Sequence, residues 1–352
     1  MNYRFLIYIN HAYAIPIGSP LQQEIIKRGD TVKWFSGMPG PNKLFPENGV
    51  LLDKIEDAIE YEPHIVLTIT DTVPDFLPGL KVQVFHGFPA NKRKGTDQFT
   101  IRGFFDLYCT QGPSSTGPFR EQQKKYRTFE VIETGWSKMD PLFPLNSQRN
   151  EKPVILISST FTKQYSLALK EEVVKEIERL SHTGKYRFMA VLHPKLDKTI
   201  VEKFKSLENE NFRFYDTTDL IPLFKEADIM FSDTTSAIIE FLIQRKPVVT
   251  FQNNMPGPYL IDIDQVSEIE NAFDKALAYP EELIKEIDEF AQYSHPYSDG
   301  NSSKRVIEAC IEFLHKDKSY LKDKPLNLLR KYKIRKQLGH WSLKSFNKAP
   351  KL

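Results

Sequence analysis

The residues of this chain best suited to chemistry are two histidines, a run of small hydroxyl residues and one acid shortly after it. His86 stands between an apolar run and Gly87. A neutral imidazole there can take a proton from a hydroxyl, and a glycine beside it lets another group approach the backbone closely. His193 is followed by Pro194, which sets a rigid exit from the preceding strand. As a hydrogen-bond donor it could hold phosphate oxygens. Between Ala227 and Phe251 the sequence reads strand, polar turn, helix, strand. The turn is Ser232-Asp233-Thr234-Thr235-Ser236, the helix runs from Ala237 to Ile243, and Lys246-Pro247 stops it. Free backbone N–H groups and a positive dipole end suit that place to a phosphate. Glu240 lies one turn beyond Ser236 on the same face, where it could accept from ribose hydroxyls. Ser303 and Arg305, after the Asp299-Gly300 turn, form a second candidate phosphate-binding terminus. Each feature also has a plainer reading. The histidines could make structural hydrogen bonds, Asp233 or Thr234 could cap a helix, and so could Asp299 or Ser303.

Other chemistries lack their motifs. There is no G-x-G-x-x-G, no P-loop, no G-x-S-x-G and no paired metal-ligand spacing, and Asp228 and Asp233 do not make a D-x-D. The two cysteines, Cys109 and Cys310, give no disulfide framework, which fits a reducing compartment. With 40% hydrophobic and 27% charged residues the 352-residue chain reads as a soluble globular protein of two domains. The apolar start, Met1 to Ile17, reads as a first buried strand and not as a signal peptide. No stretch is long enough to span a bilayer. Lys316 to Leu352 holds twelve Lys/Arg against two Asp, leaving 36 basic and 44 acidic residues on the rest. A mildly acidic body thus carries a strongly basic tail, which asks for an anionic partner or solvent. Nucleic acid is not expected, because the body is acidic and no recognition motif is present.

Strands are expected at 3–9, 31–35, 64–69, 81–85, 106–110 and 129–132, then at 154–157, 187–192, 212–215, 228–231 and 248–251. Helical stretches fall between most of them, including 47–61, 167–180 and 304–315. This double alternation predicts two α/β domains with parallel sheets. Their boundaries are set at 1–145, 146–315 and a tail of 316–352. In such sheets ligands bind beyond the carboxyl ends of the strands. His86, Gly112, Thr134, Thr160, His193, Thr217 and Asp233 all fall there, which favours one cleft lined from both sides.

Five separated pieces agree with one family. They are VFHGFP with KRKG (85–95 and the residue before), VIETGWSKMDPLF (131–143), VLHPKL (191–196), DIMFSDTTSAIIEFLIQRKPVV (228–249) and YSDGNSSKRVIE (297–308). In this order and spacing they resemble the CDP-glycerol glycerophosphotransferases of teichoic acid and capsule polymer synthesis. Two departures stand out: Phe88 replaces the threonine of H-G-T-P, and Thr234 replaces the aromatic of D-Y-S-S. The resemblance implies a GT-B fold, with two Rossmann-like domains whose parallel sheets face a central cleft. It implies transfer of a glycerol-phosphate-type group from a CDP-activated donor to a hydroxyl of a glycan or lipid-linked acceptor, with release of CMP. His86 and His193 would be the catalytic histidines. Gly87, Thr160, Asp233, Thr234, Thr235, Ser236, Glu240, Asp299, Ser303 and Arg305 would hold the donor. No cofactor is required, although a diphosphate could recruit Mg²⁺. The tail, with Leu326, Leu328, Leu329, Tyr332, Leu338, Trp341, Leu343 and Phe346 among its cations, suits an interfacial helix on anionic lipid. The protein is then expected in the cytoplasm, peripheral at the inner face of the plasma membrane. The alternatives are a GT-B glycosyltransferase using a nucleotide sugar, a non-catalytic nucleotide-binding protein of envelope assembly, and a tail helix packed on the N-terminal domain.

Overall fold

Two all-parallel sheets collect the apolar runs of the chain in the computed structural model, which describes residues 2–38, 45–46, 48–88, 97–146 and 148–350. The basic loop at 91–95 lies outside them. The chain divides into two compact units: Met1–Gly87, Thr96–Pro141 and Tyr297–Leu352 form unit 1, and Phe88–Gly95 with Leu142–Pro296 form unit 2.

Unit 1 begins with β1 (Arg4–Ile9), α1 (Ile15–Lys27), β2 (Thr31–Ser36), β3 (Leu51–Leu52), α2 (Ile55–Glu60) and β4 (Ile65–Thr68). It continues with β5 (Leu80–Gln83), β6 (Leu107–Thr110), α3 (Pro113–Tyr126) and β7 (Glu130–Glu133). Its sheet order is β3-β2-β1-β4-β5-β6-β7. Helix α1 starts earlier than Pro20 suggested, because Pro16 takes the first turn, where a missing N–H costs nothing. Gly18 is required there: a Cβ would lie 2.3 Å from the Trp34 ring.

Unit 2 runs β8 (Val154–Ser159), α4 (Glu171–His182), β9 (Arg187–Leu192), α5 (Lys198–Ser206), β10 (Phe212–Phe214), α6 (Ile221–Glu226) and β11 (Ile229–Ser232). Then come α7 (Ala237–Leu242), β12 (Val248–Phe251), β13 (Ile261–Ile263), α8 (Ile269–Leu277) and α9 (Glu281–Ser294). The sheet order is β10-β9-β8-β11-β12-β13. Its inner strands β9, β8, β11 and β12 are near-continuous apolar runs, as parallel strands buried on both faces must be. The Asp228 carboxylate accepts from Val154 N (2.7 Å) and Asn150 Nδ2 (3.0 Å), which ties the start of β11 to the start of β8. Ser232 thereby pairs with Ser158, and the two strands end at one level.

In both sheets the strand order reverses once, between β1 and β4 and between β8 and β11. A crevice opens at such a switch point beyond the strand ends. These two α/β units with parallel sheets are the expected fold class.

The sequence boundary at 315 differs from the observed division. Chain from Tyr297 onward belongs to unit 1, because α10 (Ser302–His315) packs on α1, β5 and β6 there. Val306, Ile307, Cys310 and Leu314 form its buried face. The tail follows it. Helix α11 (Leu328–Leu338) buries Ile334 in a core with Leu6, Tyr8, Val66 and Tyr108, and Leu338 packs against the same core. Arg335 donates to both oxygens of Asp75 (2.5 and 3.0 Å), and Lys331 lies 3.6 Å from that carboxylate. The buried Lys324 ammonium sits 2.5 Å from the buried Asp106. The packed-helix alternative therefore describes the inner face of the tail.

Candidate functional site

In unit 2 the candidates gather beyond the ends of β8, β9 and β11. Thr160 follows β8 directly, His193 follows β9, and Asp233 opens the turn after β11. The Asp233 carboxylate is fully buried and points inward. It accepts from Ser159 Oγ (2.6 Å), Thr160 N (3.1 Å) and Leu167 N (3.0 Å). Burial pushes its pKa up, and these donors pull against that rise. So placed, the Asp233 carboxylate pins the β8 loop to the β11 turn.

The hydroxyls of the turn remain for an anion. Thr234 Oγ1 accepts from Asn254 N (3.2 Å), and Asn253 Nδ2 donates to the Asp233 carbonyl (2.8 Å). Thr235 and Ser236 are only partly buried, and the Ser236 hydroxyl has no protein partner among the described residues. Helix α7 has six residues, too few for a strong macrodipole, so local donors carry the weight of any anion binding. Glu240 is buried on α7, one turn beyond Ser236.

His193 is wired as a donor. The Lys195 N–H donates to its Nδ1 at 3.1 Å, which places the proton of the neutral ring on Nε2. The half-exposed Phe161, two residues past β8, packs against that ring at 4.5 Å.

In unit 1, His86 follows a sharp turn of the chain. Phe85 takes a left-handed φ of 60°, a strained conformation for an aromatic residue. Phe119 (ring distance 5.0 Å) and the Trp136 indole N–H, which donates to the Phe85 carbonyl (3.4 Å), hold it there. Gln111 Nε2 fixes the next peptide through the Gly87 carbonyl at 2.7 Å. Among the described residues nothing lies within 4 Å of where a Gly87 Cβ would stand. The half-exposed His86 turns its Nδ1 toward Asp71 Oδ1 at 3.7 Å, and Arg102 Nη2 holds the other Asp71 oxygen at 2.9 Å. At that distance the contact is electrostatic and not a hydrogen bond, and a carboxylate on that side favours the tautomer with its proton on Nδ1, which leaves Nε2 as an acceptor. Tyr13 stands 6.3 Å from the ring, its pKa raised by burial and then by the Asp71 charge.

The sequence reading missed Asp71 and Arg102. Their signal was the position of Asp71 just past β4, beside the switch point and next to the strand that carries His86.

Asp299, Ser303 and Arg305 lie in unit 1. The N–H groups of Ser302 and Ser303 donate to the Asp140 carboxylate (2.8 and 2.7 Å), so the start of α10 already faces an anion. Arg305 donates to both oxygens of Asp299 (2.8 and 3.1 Å) and to the Thr134 carbonyl (2.8 Å), with its guanidinium 3.9 Å over the Tyr297 ring. The Arg305 contact holds Asp299 down at a pKa of about 2. As placed, these residues cap α10 and clamp it to the end of β7.

A family model described as UDP-N-acetylglucosamine 2-epimerase matches residues 146–311. A curated relative, the teichoic acid glycerol-phosphate primase of Bacillus subtilis (strain 168), is 24% identical over 266 residues. The match spans 64% of this chain and 66% of the relative, just under two thirds of its length. Among solved structures, a variant of the wall teichoic acid polymerase TagF soaked with CDPG is similar with a TM-score of 0.62 at 16% identity, covering 88% of each chain. The UDP-GlcNAc 2-epimerase of Neisseria meningitidis bound to UDP-GlcNAc has a TM-score of 0.59 at 15% identity, covering 88% of this chain and 100% of its own. The chain therefore has the GT-B fold, and its resemblance to the teichoic acid glycerophosphotransferase family, first carried by its motifs, is borne out by the primase in sequence and by the polymerase in fold.

Proposed function

We propose that this chain moves a polyol phosphate of the glycerol-phosphate type from a CDP-activated donor to a hydroxyl of a cell-envelope glycan or lipid-linked acceptor, releasing CMP. The acceptor oxygen attacks the β-phosphorus, and the bond from that phosphorus to the bridging oxygen breaks. CMP leaves with the electron pair, and the acceptor proton passes to His86 Nε2. The Nε2–H of His193 and the hydroxyls of Thr235 and Ser236 meet the charge that grows on the diphosphate. Fixed donors of this kind often supply the largest part of a rate enhancement. Glu240 accepts from the ribose. The reading needs no resident cofactor, and Mg²⁺ would enter only with the diphosphate. It sets the work at the inner face of the plasma membrane.

The observation that supports this reading best is the opposite wiring of the two histidines, on a fold similar to that of the polymerase. Asp71 leaves His86 able to accept a proton, while Lys195 N–H leaves His193 able only to donate while neutral. A second reading, chemistry on a UDP-sugar, is favoured by the epimerase model over residues 146–311. Incubation with a panel of CDP- and UDP-activated compounds separates the two. Acceptor-dependent CMP release from CDP-glycerol or CDP-ribitol supports the proposal. UDP release, or epimerisation of UDP-N-acetylglucosamine without CMP formation, rejects it.

A further inference from the structure

We infer that the outer face of the docked segment 324–348 is a docking surface for an anionic lipid bilayer. The inner face of this segment is spent on unit 1 through Lys324, Lys331, Ile334 and Arg335. Large apolar side chains nonetheless point outward along it. Leu329 is 80% exposed, Trp341 63%, and Leu343 fully, with Leu326, Leu328 and Tyr332 also exposed. Single exposed apolar residues are ordinary, but six within eighteen positions are not. They are joined as well: the Tyr332 and Trp341 rings meet at 5.6 Å, bridging α11 and the irregular stretch after Gly339.

Charge identifies the occupant. No acidic residue occurs from Lys324 to Leu352. On α11, Lys333 and Lys336 share the outward face with Leu329 and Tyr332, opposite the buried Lys331 and Ile334 and the partly buried Arg335. Lys333, Lys336 and Lys344 have no carboxylate partner among the described residues. A second copy of this chain fits poorly, because a two-fold contact would set this cationic face against itself. Leucines and aromatic rings interleaved with lysines match the boundary between acyl chains and anionic headgroups. No helix among the described residues is long and apolar enough to cross a membrane, so the segment would lie on the surface. It need not undock to bind, since the groups that hold it to unit 1 are not those that face out.

The test is flotation of the full chain with vesicles of phosphatidylcholine plus phosphatidylglycerol, against phosphatidylcholine alone. Two multiple variants spare the inner face: Leu329→Ser with Trp341→Ser and Leu343→Ser, and Lys333→Gln with Lys336→Gln. The native chain should float with the anionic vesicles and be released by salt. Each variant should lower partitioning by roughly tenfold or more while keeping the native melting temperature. A native chain that does not float overturns the inference. So does equal flotation of both variants, or a concentration-dependent dimer or RNA complex that the apolar variant abolishes in a chain that never floats.

Discussion

The two histidines stand in different units, each just past the end of a parallel strand, yet their surroundings assign them opposite work. At His86 a carboxylate, Asp71, faces Nδ1, and the ring is half-exposed at a strained bend. At His193 a backbone N–H occupies Nδ1 and an aromatic ring covers one side, while the hydroxyl turn closes β11, two strands away in the same sheet. One ring is left with an acceptor nitrogen and the other with a donor hydrogen. What decides the chemistry of a histidine here is its second nitrogen, which no motif reports.

The largest expected effect comes from removing either ring. His86→Ala should lower turnover on the order of 10²–10⁴-fold with CDP affinity nearly unchanged. His193→Ala should weaken CDP binding and turnover together. Steady-state kinetics with calorimetric CDP titration checks both, and a reversed pattern means that the roles are swapped. Next comes Asp71→Asn, expected to cut kcat by roughly tenfold or more while sparing KM. A variant with native kcat removes Asp71 from the site. Ser236→Ala and Glu240→Ala should each weaken CDP by about tenfold, the worth of one hydrogen bond to a charged or buried group. Unchanged affinity in both takes the unit 2 turn out of the account.

The smallest effect is on stability and belongs to the tail contact. Lys81 is buried on β5 with Lys324 as a neighbour, and desolvation lowers its pKa from 10.5 to about 7. Between those values the unfolded chain holds the proton and the folded chain does not. Stability from this group therefore rises with pH across that window. Lys81→Met should stabilise by about 1–4 kcal/mol near pH 6, by removing a poorly compensated buried cation. The gain should shrink as pH climbs, and thermal melts at several pH values read it directly.

The strand-and-turn skeleton was legible because buried parallel strands are uninterrupted apolar runs closed by polar turns. Hence Arg187–Leu192 and Val248–Phe251 appear where expected. Two elements were not legible. Leu51–Leu52 fell inside an expected helix at 47–61, and Ile261–Ile263 carried no pattern, since edge strands of two and three residues are too short for periodicity. Helix α10 was read correctly as a helix but assigned to the wrong body, because its partner α1 lies almost three hundred residues earlier in the chain. At the site, residue types marked His86, His193, Ser236 and Glu240. They did not reveal that Asp233 faces inward to Ser159 or that Arg305 is clamped on Asp299. Those distinctions depend on contacts far apart in sequence.

The division of labour between the rings can be read without any substrate. In ¹⁵N-histidine-labelled protein at mildly alkaline pH, long-range ¹H–¹⁵N spectra report the tautomer of each ring, with His86→Gln and His193→Gln giving the assignments. The account predicts the proton of His193 on Nε2 and that of His86 on Nδ1. The same tautomer at both rings, or the two exchanged, would contradict it.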